Sequence, residues 1–118
     1  WGAMLHRCAS AAKRAEEEDG ISCEILDLRS LCPLDLDAIY STVRKTGKVL
    51  VIHEDNLTGG AGAEISARIV EHCFEDLDAP VRRVAALDVP IPLAAVLEDA
   101  SLPDENRILD EIRDLARW

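Results

Sequence analysis

The amino-acid sequence predicts an α/β domain with three layers, in which helices cover both faces of a mainly parallel sheet. Segments with helical periodicity alternate with short strand-like segments along the chain, as in sheets built from strand–helix–strand crossovers. Residues 49–52 are apolar without interruption, which is typical of a strand covered on both faces. The length of 118 residues suits one compact domain spanning residues 1–118.

The first part of the chain predicts two helices separated by a strand. Residues 4–18 are rich in Ala, Glu, Lys and Arg, and their apolar side chains recur at helical spacing. Gly20 is placed to end that helix, and residues 22–28 predict a short strand. Asp35 can cap a second helix, which Gly47 ends. The apolar side chains of the second helix are Ile39, Tyr40 and Val43.

The second part predicts two further helices and two extended segments. A glycine-rich turn at residues 59–62 leads from the apolar strand into a third helix, and residues 81–84 predict the next strand. Residues 88–92 must be extended because prolines forbid helix there, and residues 103–105 open a last helix. The third helix carries an apolar stripe of Ile65, Ile69, Val70, Cys73, Phe74 and Leu77, and the last helix carries Ile108, Ile112 and Leu115.

The composition argues against two classes of partner. A net charge of −10 is unfavourable for nucleic acid, whose affinity for proteins comes largely from Lys and Arg on phosphate. No apolar run approaches the roughly 20 residues that span a bilayer, and the first residues are not typical of a signal peptide. The acidic surface fits either simple solubility or a basic protein partner.

The four cysteines are predicted to be buried free thiols. None forms a C-x-x-C pair, and no histidine stands at zinc-ligand spacing. Each lies within or beside an apolar pattern, as a free thiol in a reducing compartment does. They are Cys8, Cys23, Cys32 and Cys73.

The glycine-rich turn leaves two interpretations open. Gly59, Gly60 and Gly62 stand where bare amides at a helix start favour anions, which would suit a stand-alone anion- or nucleotide-binding module. The spacing is not G-x-G-x-x-G, and no P-loop lysine follows. A tight turn at a close approach of helix and strand is therefore preferred to nucleotide binding, and a backbone contact with a neighbouring subunit stays open.

No residue is assigned to catalysis, cofactor binding or metal binding. His53 precedes two acids, but the segment is not H-E-x-x-H because Leu57 occupies the fifth position. A histidine at a strand end is more often a hydrogen-bonded structural residue. His6 and His72 lack partners at ligand spacing, and no serine lies in a G-x-S-x-G elbow.

Several segments along the chain together carry a family resemblance. They are DLRSL at 27–31, PLD at 33–35, VRKTG at 43–47, HED at 53–55, TGGAGAEI at 58–65, LDAPVRRV at 77–84 and DVPIP at 88–92. In order and spacing this set resembles the transketolase-type C-terminal domain of 2-oxo acid dehydrogenase β subunits, of the pyruvate and branched-chain types, over essentially the whole chain. Ala61 and Leu93 stand where that family commonly has an aromatic residue.

The resemblance implies that this chain is part of a larger oxidoreductase. The full subunit would pair with an α subunit and a second β subunit in a heterotetramer that holds thiamin diphosphate and magnesium. That enzyme decarboxylates a 2-oxo acid and acylates lipoyl groups, in the bacterial cytoplasm or the mitochondrial matrix. This domain alone would bind neither cofactor, and would serve assembly and partner docking. The rival family members are transketolase and deoxyxylulose-phosphate synthase.

The resemblance also implies where a partner docks and what the sheet lacks. It places Asp78 where the family has a carboxylate for the basic subunit-binding domain of the dihydrolipoyl acyltransferase, and it places Trp118, with its terminal carboxylate, at the same site. Similar domains carry further strands before Trp1, one of them inside the sheet. We therefore expect an incomplete sheet and self-association of this chain through unpaired strand groups.

Overall fold

The computed structural model describes residues 1–90 and 92–118. Ile91, in the predicted extended segment 88–92, lies outside these residues. A 3₁₀ turn, Phe74–Asp76, follows the third helix. The helices are α1 (Met4–Asp19), α2 (Leu36–Thr46), α3 (Ala61–Cys73), α4 (Ala95–Ser101) and α5 (Glu105–Ala116), and the strands are β1 (Leu50–Asn56) and β2 (Arg82–Ala86).

The three-layer arrangement is confirmed. β1 and β2 pair in parallel, with Leu50 opposite Arg82 and Ile52 opposite Val84. α2 and α3 pack together on one face of this pair, while α1 and α5 pack together on the other. Each face has its own core because successive side chains of a strand point in opposite directions.

The alternation along β1 divides the apolar residues between the two cores. Val51 points toward α2 and α3, where it packs in a cluster with the buried side chains of both helices. Leu50 and Ile52 point toward α1 and α5 and pack against the second cluster. The first core comprises Ile39, Tyr40, Val43, Val51, Ile65, Ile69 and Cys73, and the second comprises Ala11, Ala15, Val84, Ile108 and Leu109.

Ion pairs reinforce the contact between α1 and α5, the first and last helices. Arg14 Nη1 lies 2.8 Å from Glu105 Oε1. Arg113 lies 2.7 Å from both Glu18 and Asp19 at the C-terminal end of α1. The two ends of the chain are thus held in one layer.

The predicted helix boundaries are confirmed where a local signal sets them. Asp35 accepts a hydrogen bond from Ala38 N at 3.0 Å, and Asp104 accepts one from Arg107 N at 2.7 Å. Gly20 and Gly47 end their helices with φ of +69°, where a residue without Cβ is favoured.

The strand predicted at residues 22–28 is wrong. The segment forms no ladder with β1, and most of its side chains are exposed. An extended segment becomes a strand only when a neighbouring backbone lies within hydrogen-bond reach. Here a cavity of about 380 Å³ separates the segment from β1. We call this cavity the sheet-edge cleft; residues 21–26 and 28 form one wall, residues 48–52 the other, and Leu5, Cys8, Ala12 and Trp1 also line it.

Two other expectations need correction. α4 was not expected from the sequence; it is short, and it follows the proline-containing segment directly. The prediction of buried thiols is confirmed for Cys73 and wrong for Cys23 and Cys32, which are exposed. Cys8 is half-buried, and all four cysteines are free. Cys23 is exposed because its segment has no strand beside it.

The unpaired edge of β1 gives a prediction about association. We expect the purified chain to sediment as a species heavier than its 12.9 kDa monomer, because an exposed edge offers a row of unpaired N–H and C=O groups to another chain. Sedimentation velocity over a range of protein concentrations measures this. A monomer at every concentration would contradict it.

Candidate functional site

A shallow surface depression brings together the two residues assigned to partner docking. Asp78 and Trp118, distant in sequence, both line it. It lies where α3 and its 3₁₀ turn lead into β2, beside the last residue of the chain. We call it the Asp78 surface; its residues are Val70, Phe74, Leu77, Asp78, Ala79, Pro80, Val81 and Trp118.

The backbone of Gly47 fixes the position of Asp78. Asp78 N donates a hydrogen bond to Gly47 O at 2.8 Å. Gly47 has a φ of +69°, and a Cβ built on it would collide with the Asp78 carboxylate. Glycine is therefore required here both for its backbone conformation and for the space above it.

The Asp78 carboxylate is available to a partner. Within the described residues it forms neither an ion pair nor a hydrogen bond, whereas Asp76 lies 3.4 Å from Arg44. Arg82, near the start of β2, is paired with Glu111 at 3.0 Å. Asp78 also follows the C-terminal end of a helix, where negative charge gains nothing from the helix dipole. Its charge thus has no evident role in stabilising this chain.

Exposed apolar side chains surround this carboxylate; the sequence analysis identified Trp118 among them but missed Phe74 and Val70. Phe74 is 73% exposed, Trp118 68% and Val70 43%. The prediction of a single inward stripe on α3 is wrong for Phe74 and Val70. Ile69 and the residues four positions before and after it face the core, and Val70 lies about 100° further round the helix. The angular offset is the signal that could have shown this.

This combination of groups suits a cationic partner. A carboxylate can accept charge-assisted hydrogen bonds from a guanidinium or ammonium group. Exposed aromatic rings such as Phe74 and Trp118 can cover the apolar stem of the same side chain and attract its charge. The Asp78 surface therefore fits an arginine- or lysine-bearing protein segment.

Replacing Gly47 tests the support beneath Asp78. Gly47→Ala should lower the free energy of unfolding by more than the roughly 1–2 kcal/mol that a left-handed backbone costs an L-residue, because the new Cβ also displaces the Asp78 carboxylate. Gly20→Ala is the matched control, since Gly20 has the same φ of +69° but nothing lies within 4 Å of its Cβ position. Urea denaturation of both variants measures the difference. Equal losses would show that the contact with Asp78 contributes nothing.

The glycine-rich turn packs around a buried histidine. His53 in β1 is fully buried, and its ring stacks on Trp1 with a centroid distance of 5.3 Å. A Cβ on Gly60 would lie 2.7 Å from His53 Cε1, and a Cβ on Gly62 would lie 2.5 Å from His53 Cδ2. The close approach of helix and strand expected from the sequence is present, and it accounts for these two glycines.

Gly59 differs from the other two glycines of the turn. It is exposed, with φ of +77° and nothing near its Cβ position. Contact between the turn and a neighbouring subunit stays a prediction, and Gly59 is the member that can reach one directly.

His53 has a structural role, but not through hydrogen bonds as expected. Both ring nitrogens lack a partner within the described part of the chain. Burial lowers the pKa of His53, and Arg83 adds to this, while the carboxylate of Asp55 opposes it. The surroundings therefore disfavour the charged form of the ring. His72 is exposed, and its ring stacks on Tyr40.

The lowered pKa of His53 predicts loss of stability in mild acid. The unfolded chain binds a proton at His53 near pH 6.5, whereas the folded chain binds it only at lower pH. The contribution of neutral His53 is thus complete above about pH 6.5 and falls as pH drops from there toward the folded pKa. We expect urea midpoints to decrease between pH 7.5 and pH 5.5, and to decrease less in His53→Gln. An equal decrease in both proteins would contradict this assignment.

Comparison with known proteins finds a matching family model and a similar solved structure. The family model described as transketolase, C-terminal domain matches residues 1–108. A solved structure titled "Split gene transketolase, inactive beta4 tetramer" superimposes with a TM-score of 0.78 at 28% sequence identity. The match covers 98% of this chain and 36% of that one.

Several curated proteins are more similar in sequence. The 2-oxoisovalerate dehydrogenase subunit beta 2, mitochondrial, of Arabidopsis thaliana is 50% identical over 100% of this chain and 32% of its own length. The 2-oxoisovalerate dehydrogenase subunit beta of Bacillus subtilis is 40% identical over 100% of this chain and 36% of its own. The pyruvate dehydrogenase E1 component subunit beta of Rickettsia bellii is 42% identical over 82% and 30%. The chain thus spans about a third of the length of these relatives.

Proposed function

This chain belongs to the transketolase C-terminal domain family, and we propose that it is the assembly and partner-docking domain of a 2-oxo acid dehydrogenase β subunit. The identities of 40–50% to 2-oxoisovalerate dehydrogenase β subunits over the whole chain support this. They exceed the 28% identity to the split-gene transketolase, and therefore favour a dehydrogenase over a transketolase. The names of the relatives include both 2-oxoisovalerate and pyruvate enzymes, so we propose 2-oxo acids as a class.

The observation that carries the docking proposal is the convergence of Asp78, Phe74 and Trp118 on one exposed surface. An unpaired carboxylate beside two exposed aromatic rings offers both charge and apolar area to a basic segment. The net charge of −10 adds a field that steers a cation toward the domain. The partner we propose is the subunit-binding domain of the dihydrolipoyl acyltransferase. Calorimetric titration of the chain with that domain, at low and high salt, tests the proposal.

We propose that assembly with an α subunit and a second β subunit uses other surfaces. The exposed Gly59 at the apex of the turn is one candidate contact, because its bare backbone can approach another chain closely. For the compartment we propose the cytoplasm in a bacterium or the mitochondrial matrix in a eukaryote, since relatives of both kinds match. In the described part of the chain no helix combines the length and apolarity needed to cross a bilayer.

We propose that the described residues hold neither thiamin diphosphate nor magnesium. No three His, Cys, Asp or Glu side chains among them converge on a point that could hold a metal ion. The start of α3, where an anion could have met bare amides, is packed against the His53 ring. We propose that in the full enzyme these cofactors, which supply the chemistry of decarboxylation, are held by other parts of the assembly.

This assignment predicts the behaviour of the chain alone. We expect no decarboxylation of 2-oxo acids by the purified chain, and no heat of binding when it is titrated with thiamin diphosphate and magnesium. The reason is our proposal that both groups are held by other parts of the assembly. Saturable binding with a stoichiometry near one would overturn the assignment.

A stand-alone nucleotide-binding module is not favoured by the geometry. Such a module needs the amides of Gly60 and Gly62 to face an open phosphate site. Both residues are buried against the His53 ring instead.

A further inference from the structure

Two consecutive residues between α2 and β1 contact the chain beside both residues assigned to docking. Gly47 O accepts the hydrogen bond from Asp78 N at 2.8 Å. Lys48 Nζ donates a hydrogen bond to the backbone oxygen of Ala116 at 3.1 Å. Ala116 is the last residue of α5 and stands two positions before Trp118. One short connection is therefore in contact with both sides of the Asp78 surface.

The ammonium group of Lys48 satisfies a carbonyl that α5 leaves open. The last four carbonyls of an α-helix have no partner within the helix. At this end Trp118 N donates to Leu115 O at 3.4 Å, and Ala116 O, one residue further on, accepts from Lys48. A cation is also favoured at this position, because the C-terminal end of a helix carries a negative partial charge.

Trp118 depends on this contact more than the body of α5 does. Earlier in the helix, Glu111 pairs with Arg82 at 3.0 Å, and Leu115 is buried. Trp118 lies beyond the helix and is 68% exposed. A side chain in that position keeps a fixed direction only while the backbone just before it is fixed. Lys48 holds that backbone from outside the helix.

We propose that Lys48 is a positioning residue of the Asp78 surface, which fixes the place of Trp118 beside Asp78 by holding Ala116 O. The proposal rests on the docking function proposed above. Lys48 is not among the described residues that line the surface, so it acts through Trp118 rather than on the partner. Because Gly47 holds Asp78 from the same connection, the carboxylate and the indole ring are placed relative to each other by two adjacent residues.

The expected effect of Lys48 on docking is opposite in sign to the effect of its charge. Removing any lysine makes the net charge of −10 one unit more negative, which should strengthen the attraction of a basic partner. Loss of positioning should weaken binding. Lys48→Met should therefore raise the Kd for the acyltransferase's subunit-binding domain by about three- to tenfold, because a loosened indole ring must be ordered on binding.

Lys13→Met is the matched control for charge. Lys13 lies on α1, where it pairs with Glu17 at 3.7 Å, and Lys13→Met should leave the Kd unchanged or lower it. Calorimetric titration of each chain with the purified subunit-binding domain measures this. A Kd for Lys48→Met that equals the Kd for Lys13→Met would overturn the proposal.

A double-mutant cycle separates positioning from general loss of stability. In a Trp118→Ala background, Lys48→Met should have no further effect on the Kd, because the ring that Lys48 positions is gone. A role confined to stability would raise the Kd by the same factor in both backgrounds, and that result would overturn the proposal. Lys48→Gln, which is shorter but still polar, is the second variant, with the same expected results if Lys48→Met does not fold.

The indole N–H signals give a readout that needs no partner. The chain has two tryptophans, Trp1 and Trp118, so a ¹⁵N-labelled chain should show two such signals, which Trp118→Ala assigns. Lys48→Met should shift or broaden the Trp118 signal and leave that of Trp1, which stacks on His53, in place. An unchanged Trp118 signal would overturn the proposal.

Failure of the docking function has a different result. If the wild-type chain does not bind the subunit-binding domain at all, the docking function is wrong, and any role of Lys48 in docking is overturned with it. The Trp118 signal still decides whether Lys48 positions the ring. The two failures are therefore distinguishable.

Discussion

Asp78→Ala should weaken binding of the acyltransferase's subunit-binding domain by about 2–5 kcal/mol, or roughly thirtyfold or more in Kd. The loss is large because truncation removes the carboxylate while leaving the partner's cation in a partly desolvated interface. Asp78→Asn keeps the shape of the side chain, and its loss isolates the contribution of the charge. Calorimetric titration at low and high salt measures both variants.

Glu17→Ala is the matched control for this prediction. It removes the same unit of charge, but Glu17 lies on an exposed face of α1 and pairs with Lys13 at 3.7 Å. The control should lose only the small, salt-sensitive steering effect of net charge. If Asp78→Ala and Glu17→Ala both bind like the wild type at both salt concentrations, the Asp78 surface is not the docking site. A further variant, Phe74→Ala, should weaken binding at high salt as well, because its contribution is apolar.

Gly62→Ala should destabilise the fold, although alanine normally stabilises a helix relative to glycine by about 1 kcal/mol. A Cβ at this position would collide with the His53 ring and approach Val51 Cγ1 to 3.4 Å. The ring cannot move aside freely, because it is fully buried and stacked on Trp1. Overpacking of a core costs about 1–3 kcal/mol, so the net effect on the free energy of unfolding should be negative.

A double-mutant cycle identifies His53 as the cause. His53→Ala alone should destabilise the chain by leaving a cavity. In that background Gly62→Ala should become neutral or stabilising, because the new methyl group no longer meets the ring and keeps only an ordinary contact with Val51, so that helix propensity decides the sign. Urea denaturation of the four proteins gives the coupling free energy. The same destabilisation by Gly62→Ala in both backgrounds would contradict the packing described here.

Features set by local signals could be predicted from the sequence, and features set by pairing across the fold could not. The cap at Asp35 and the helix ends at Gly20 and Gly47 depend on a few neighbouring residues, and all three are confirmed. The strand predicted at residues 22–28 depends on a second backbone at hydrogen-bond distance. The sequence pattern of the segment does not indicate whether such a neighbouring backbone is present.

The same distinction between local features and features that depend on the whole fold applies to the candidate site. Asp78 came from a resemblance, and the absence of a salt bridge to it among the described residues could be seen only once its neighbours were placed. The proximity of Trp118 to Asp78 depends on how α5 crosses the sheet, which the sequence pattern does not specify. The sequence left two interpretations of Gly62 open, anion binding and a close approach of helix and strand. The His53 ring buried beneath Gly62 favours the close approach.

The pairing of α1 with α5 has a consequence for folding during synthesis. The face of the sheet that carries Leu50, Ile52 and Val84 is covered by the first helix and the last one together. Until residues 105–116 have left the ribosome, half of that cover is missing and the apolar face is open to solvent. Contacts between residues so far apart in sequence form late and slowly, and exposed apolar surface in partly made chains favours aggregation. The nascent chain should therefore expose this apolar face until α5 emerges.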